Sequence, residues 1–254
     1  MHEPEAEQAQ MRENLAANLA RLEDAIAAAC KAANRPRAEV ELVAVSKNHP
    51  ASAIVEALGL GLRLFGENRV QEFAAKATEL AEAGIRGQVR AHLIGHLQSN
   101  KAAKAAEIFD AVDSVDSLKL AERLDEAAGR LGKRLPVLLE IKLSHEETKA
   151  GLEPDSRELD ELLEKLPSLA SLDAQGLMTI APLDVSPASR DAETRACFRS
   201  LRVLRDQIAQ AHPKLHLPVL SMGMSGDFPL AIEEGATRIR VGTALFGPRP
   251  GYAK

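Results

Sequence analysis

The chain has no tryptophan and a single tyrosine, and aromatic residues make up only 3% of it, too few rings to stack on the bases of a nucleic acid. Positive charge is not in excess either. The 32 lysines and arginines face 37 acidic residues, and the net charge of −5 excludes a broad polyanion-binding surface. A local phosphate site made of backbone N–H groups remains open. The two cysteines, Cys30 and Cys197, have neither metal-ligand spacing nor the pattern of a disulfide framework, so no metal site is expected. No apolar run is long enough to cross a membrane, and the polar, acidic start MHEPEAEQAQ lacks the apolar stretch of a signal peptide. No GxGxxG follows the first apolar run, which argues against dinucleotide binding. Together these absences point to a soluble protein of a reducing, cytoplasmic compartment.

What is present is a regular alternation. Apolar residues make up 45% of the 254 positions, enough for a sizeable core in one domain of α/β-barrel size. A long helix is predicted over 5–33, with Leu15, Leu19, Leu22 and Ile26 forming one stripe. Strands are then predicted over 40–46, a short run ending at Phe65 before a turn at Gly66, 90–97, 108–115, 136–143, 172–178, 217–220 and 237–241. Helices fall between them, over 51–59, 70–83, a short one capped by Ser99, 117–131 capped by Ser117, 156–166 stopped by Pro167, 188–211 and 229–234. Eight such units, parallel and connected by right-handed crossovers, fit a (β/α)8 TIM-type barrel with an extra N-terminal helix. An open doubly wound sheet is the alternative. Residues 1–254 read as a single domain, with 1–36 packed on the barrel and the strand interiors apolar.

In such a barrel, ligands bind at the C-terminal ends of the strands. The run LVAVSK (42–47) is apolar until it ends on Lys47. Burial there would favour a neutral amine able to form a Schiff base with a carbonyl; alternatively the stem lies along the core and the charge snorkels to water. Other strand ends supply Glu67 and Asn68, His96, Met178, the stretch from Ser221 to Ser225, and Gly242 with Thr243. In SMGMSGDF and RVGTALFG, small residues would let backbone amides reach a phosphate, as the loops after strands 7 and 8 commonly do, so Ser225, Gly242 and Thr243 could serve one phosphate group. A plain flexible turn and a packing glycine are the alternatives. Arg240, two residues before Gly242, would lie just beneath the mouth and need a partner, either a ligand ring nitrogen or an acid such as Glu67. His96 could flank a ring, although a lone histidine is more often structural. Asn68 could bond a ligand or cap a helix, Met178 could pack on a ligand or the core, and Lys149 reads as solvated. A lysine, a phosphate cradle and an arginine beneath them are the parts that pyridoxal 5′-phosphate (PLP) needs.

Seven motifs in order, LVAVSK, FGENRVQE, HLIGHLQSNK, EETKAGL, GLMTIAP, LSMGMSGD and RIRVGTALFG, span residues 42–247. Their combination resembles the pyridoxal phosphate homeostasis proteins, a barrel family related to the N-terminal domain of bacterial alanine racemase. The resemblance implies that Lys47 holds PLP as an internal aldimine. It also implies that Ser221, Ser225, Gly242 and Thr243 belong to the phosphate motifs, that Arg240 faces the pyridine nitrogen, and that Asn68 and His96 line the cofactor. Arg69 after GEN, the reading AHLIGHLQ, and EIKLS in the fifth strand depart from the family pattern and alter the pocket wall. The family is regarded as handling PLP without established turnover. Consistent with that, racemisation needs acid–base groups on both faces, and the only tyrosine, Tyr252, lies in the terminal tail rather than in a second β domain. A monomeric PLP carrier supplying apoenzymes is therefore expected. The alternatives are a PLP-dependent racemase or lyase, and a Schiff-base aldolase that needs no cofactor.

Overall fold

The computed structural model describes residues 3–144, 150–182 and 186–248. Eight strands close into a barrel in chain order. They are β1 (Glu41–Val45), β2 (Leu64–Glu67), β3 (Arg90–Leu93), β4 (Ala111–Val115), β5 (Leu135–Glu140), β6 (Leu172–Met178), β7 (Val219–Ser221) and β8 (Arg238–Val241). All pairings are parallel, and β1 closes the ring against β8 with Val43 opposite Arg240. Around them run α1 (Glu3–Ala32), α2 (Ala51–Gly59), α3 (Val70–Glu82), α4 (Ala102–Ile108), α5 (Leu118–Arg130), α6 (Arg157–Lys165), α7 (Arg190–Ala211), α8 (Phe228–Glu233) and the single turn α9 (Thr243–Phe246). The architecture is the (β/α)8 barrel with an extra N-terminal helix. No described helix is long and apolar enough to cross a membrane.

The predicted stripe of α1 is its buried face: Leu15, Leu22 and Ile26 join the main core and Leu19 packs at its edge. The helix lies against α2, α8 and α9. It is tied down where Arg35 Nη1 donates to the carbonyls of Ile232 (2.9 Å) and Ala236 (2.8 Å), and where Asn18 Nδ2 donates to that of Leu245 (2.8 Å). Ser117 caps α5 as predicted, its Oγ accepting from the Leu120 N–H at 3.3 Å.

Several boundaries differ from the sequence reading, each for a local reason. Gly66 is a residue of β2, not a turn; a Cβ there would sit 2.9 Å from both Val43 and Ile94, so the glycine makes room inside the barrel. Ser99 caps nothing and begins a 3-10 turn, Ser99–Lys101, that leads into α4. Ile108 ends α4 rather than starting β4. β5 stops at Glu140 because its next hydrogen bonds go elsewhere: Leu152 N–H donates to the Glu140 carbonyl and Lys142 N–H to that of Leu152. β7 begins only at Val219, since Pro218 has no N–H to give the ladder. Lys149, within EETKAGL, lies outside the described residues.

The apolar interior expected of the strands is confined to their outward faces. Leu42, Ala44, Phe65, Leu93, Val137 and Leu177 belong to the layer between barrel and helices. Inside, only Val43, Val45, Leu64 and Ile94 form an apolar cluster. Much of the rest is polar or charged. Arg238 Nη1 on β8 reaches Asp113 on β4 at 3.2 Å; these strands are not neighbours, so the contact crosses the barrel. His92 Nδ1 meets the same carboxylate at 3.1 Å, and Arg238 also bonds Glu41 at 2.9 Å. Burial pushes the Asp113 carboxyl up, but His92, Arg238 and Arg240 outweigh it and hold Asp113 below its ordinary range.

Close strand contact also depends on Gly176, where a Cβ would fall 1.9 Å from the Val219 carbonyl oxygen. Gly176→Ala should force β6 and β7 apart and lower stability by about 1–3 kcal/mol or more. Ser117→Ala should remove only a cap, at a cost of about 1 kcal/mol. Urea unfolding midpoints of the two variants measure the difference.

Candidate functional site

Because β1 is flanked by β8 and β2, Lys47, Gly242 and Asn68 leave the barrel side by side. Ser46 to His49 form a tight turn, with His49 N–H donating to the Ser46 carbonyl and Asn48 left-handed at φ 62°, a conformation asparagine tolerates. This turn presents Lys47 to a cleft of about 230 Å³ at the C-terminal mouth. Asn68, Arg240, Ser225, Gly242 and Thr243 line the same cleft, and Val45, Ile94, Ile180 and Met224 supply its apolar wall.

Arg240 forms the cleft's floor and is almost fully buried. Its Nη1 donates to the Ser221 carbonyl (2.7 Å) and hydroxyl (2.9 Å), and its Nη2 to the Thr179 carbonyl (2.8 Å). A guanidinium has five N–H donors, so two are left over at a residue that borders the cleft. Among the described residues no carboxylate comes within ion-pair distance. Glu67, the acid considered as its partner, pairs with Lys76 instead. Burial lowers the Arg240 pKa, while Asp113, Glu140 and Asp227 act against that from longer range.

The loops after β7 and β8 meet at this cleft. Ser225 Oγ accepts from the Ala244 N–H at 3.3 Å and so ties the loop after β7 to α9. Gly223 is left-handed at φ 93°, and a Cβ there would come 2.6 Å from Ala231, so this turn requires glycine. Asp227 Oδ1 accepts from the Met224 N–H at 2.5 Å. Burial raises the Asp227 pKa, countered in part by that bond and by Arg240. Gly242 passes close to β1: a Cβ would meet the Val45 carbonyl at 3.2 Å.

Of the nine residues predicted for the site, Lys47, Asn68, Ser225, Arg240, Gly242 and Thr243 border this cleft. Asn68 is not a helix cap, since Arg69 occupies that position in α3. Ser221 is buried behind Arg240 and bonded to it. Met178, the last residue of β6, is fully buried, two residues before Ile180. His96 is exposed on the rim, 2.8 Å from Asp116, and is not part of the cleft wall. Glu67 is at its strand end but faces α3, because Gly66 takes the inward position. Ile180, Ile94, Val45 and Gly226 were missed as lining residues; two-residue spacing from Met178 would have found Ile180.

Glu140, at the end of β5, was also missed. It is buried with Oε2 unpartnered among the described residues, and its carboxyl is pushed up to about 7 by burial and by Asp116, with Arg240 opposing. As pH rises from about 4.5 to 7, the unfolded chain loses this proton while the folded chain keeps it, so the contribution of Glu140 to stability falls through that window and then levels off. Glu140→Gln removes the dependence. Its stability relative to wild type should climb with pH over the same window, by on the order of 3 kcal/mol. Urea midpoints at low and mildly alkaline pH check this.

Comparison with known proteins places the chain among relatives. The family model of the alanine racemase N-terminal domain matches residues 12–250. The pyridoxal phosphate homeostasis protein of Haemophilus influenzae is 40% identical over 236 residues, covering 93% of this chain and 96% of that protein. The structure of PipY of Synechococcus elongatus with PLP bound is 47% identical, with a TM-score of 0.76 over 92% of this chain and 100% of that one. An alanine racemase of Clostridium difficile shares the fold at 19% identity, with a TM-score of 0.67 over 94% of this chain and 58% of that one.

Proposed function

We propose, since the chain belongs to the pyridoxal phosphate homeostasis proteins within the alanine racemase N-terminal domain family, that it binds PLP at the barrel mouth and acts as an intracellular carrier or buffer of that cofactor, not as a catalyst. The observation that carries this reading is the convergence of Lys47, Arg240 and the Ser225–Gly242–Thr243 loops on one cleft. Bound there, PLP would supply an aldehyde, and Lys47 would be the residue that holds it through its amine.

The donor set fits. Lys47 provides the amine. The two remaining N–H donors of Arg240 suit an acceptor such as a ring nitrogen, and a permanent cation there keeps that nitrogen unprotonated, which weakens the ring as an electron sink. Ser225, Thr243 and the backbone at Gly242 form the phosphate end, where a Cβ at Gly242 would crowd the Val45 carbonyl at 3.2 Å. Asn68 adds a polar wall group. Ser221 holds Arg240 in place, Met178 packs beneath Ile180, and His96 with Asp116 stands at the rim. Against catalysis stands the lining itself: among its described residues only Lys47 and Arg240 are ionisable, so no second acid–base group faces the ligand. In this reading residues 1–254 form one cofactor-binding domain, the protein is a cytoplasmic monomer, and PLP-dependent apoenzymes receive its cargo.

Purified protein mixed with PLP should develop a visible absorbance band that borohydride reduction fixes on Lys47, and Lys47→Ala should abolish it. Loaded protein should restore activity to a PLP-dependent apoenzyme without turning over amino acids itself. No band with Lys47 unmodified would overturn the cofactor reading, and Lys47-dependent amino-acid turnover would overturn the carrier reading in favour of a racemase or lyase.

A further inference from the structure

Behind the cleft, on the far side of the Lys47 turn, a second group of charges is buried. Lys76 of α3 lies 5% exposed, and Glu67 at the end of β2 is fully buried. The Lys76 ammonium has three donors, and all three are used: on the Ser46 carbonyl (2.9 Å), Glu67 Oε1 (2.7 Å) and Glu72 Oε1 (2.9 Å). Ser46 Oγ donates to the same Glu67 oxygen at 2.8 Å, and Asn48 N–H donates to the same Glu72 oxygen at 2.6 Å. Thus the residue before Lys47 and the residue after it are both bonded to this one cluster. The Glu67 half of the arrangement is a poor source of stability. Desolvation raises the Glu67 pKa, with Lys76 opposing it, and Glu67 Oε2 is buried with no partner among the described residues. A buried ion pair often gives less than well-packed apolar side chains would. What the cluster does secure is geometry, because a turn bonded on both sides of one residue has little freedom to rotate it.

We propose that Lys76, bridging Glu67 and Glu72, is a positioning residue that fixes the Lys47 turn so that the amine faces the cleft. The inference rests on Lys47 being the cofactor lysine. Lys76 acts through the Ser46 carbonyl, Glu67 through the Ser46 hydroxyl and Glu72 through the Asn48 N–H; none of them borders the cleft.

The test compares two events in wild type, Lys76→Met and Glu72→Gln. One is the rate at which PLP gives the visible band and becomes trapped on Lys47 by borohydride. The other is the affinity for pyridoxine 5′-phosphate, which has the same ring and phosphate but an alcohol in place of the aldehyde. Lys76→Met should slow covalent capture about tenfold or more, the scale expected when a reacting group loses its orientation, while pyridoxine phosphate affinity stays within about twofold. Glu72→Gln, which weakens the Asn48 bond and the Lys76–Glu72 pair but leaves Lys76 on Ser46 and Glu67, should slow capture by a smaller factor, and Lys76→Arg should restore part of the rate. Capture at the wild-type rate in Lys76→Met, or a parallel fall in capture and pyridoxine phosphate affinity, would overturn the inference. If Lys76→Met does not fold, Glu72→Gln and Ser46→Ala decide, and wild-type capture rates in both overturn it. A wild type that binds pyridoxine phosphate but captures no PLP would sink the cofactor reading itself, whereas normal wild-type capture with unchanged variants sinks only the positioning role.

Discussion

Two arginines on one short strand fill the barrel with positive charge, and much of the interior is arranged to bear it. Arg238 is neutralised across the barrel by Asp113 and beside it by Glu41. Arg240, one layer higher, has no carboxylate at bonding distance among the described residues and is held by two backbone carbonyls and a hydroxyl. Carbonyl dipoles satisfy hydrogen bonds without cancelling the charge, so the cleft floor stays electropositive. That suits an anionic, ring-bearing ligand entering from above. The lower layer is a structural ion network, and the upper one is left partly open.

Much of this order was legible in the chain, for reasons that differ by residue. Strands buried on both faces appear as short apolar runs, so β1 and β5 stood out, and a charged residue closing such a run marked Lys47. Arg240 was legible because two-residue periodicity placed it beneath Gly242. Strand ends were less so, since they depend on where distant backbone groups send their hydrogen bonds: Leu152 ends β5 by taking the Glu140 carbonyl. The direction of Glu67 turned on a shift of one residue, which reverses the face a side chain occupies; with Gly66 inward, Glu67 had to point at α3. The polar interior was the largest difference. His92 and Asp113 lie on different strands, and only closure of the barrel shows that Arg238 meets both strands' network from the far side. Lys76, set in an amphipathic helix, reads locally as a solvated residue, and its burial follows from the Glu67 it faces.

The mouth has two kinds of support. The Lys47 turn is braced from outside by α3, through Ser46 and Asn48. The loops after β7 and β8 brace each other, through Ser225 and Ala244, and rest against α1 where Asn18 bonds the Leu245 carbonyl. The Lys47 end and the Ser225–Thr243 end of the cleft therefore stand on separate foundations, with Arg240 as the floor between them.

The closure of β1 on β8 brings the first and last strands of the chain together. A ligand bonded to Lys47 and gripped at Thr243 would straddle that seam and act as a removable cross-link, a clasp across the join of a ring. Opening the barrel at its seam would then require unloading it first, so occupancy would register as resistance to unfolding in proportion to how tightly the ligand is held.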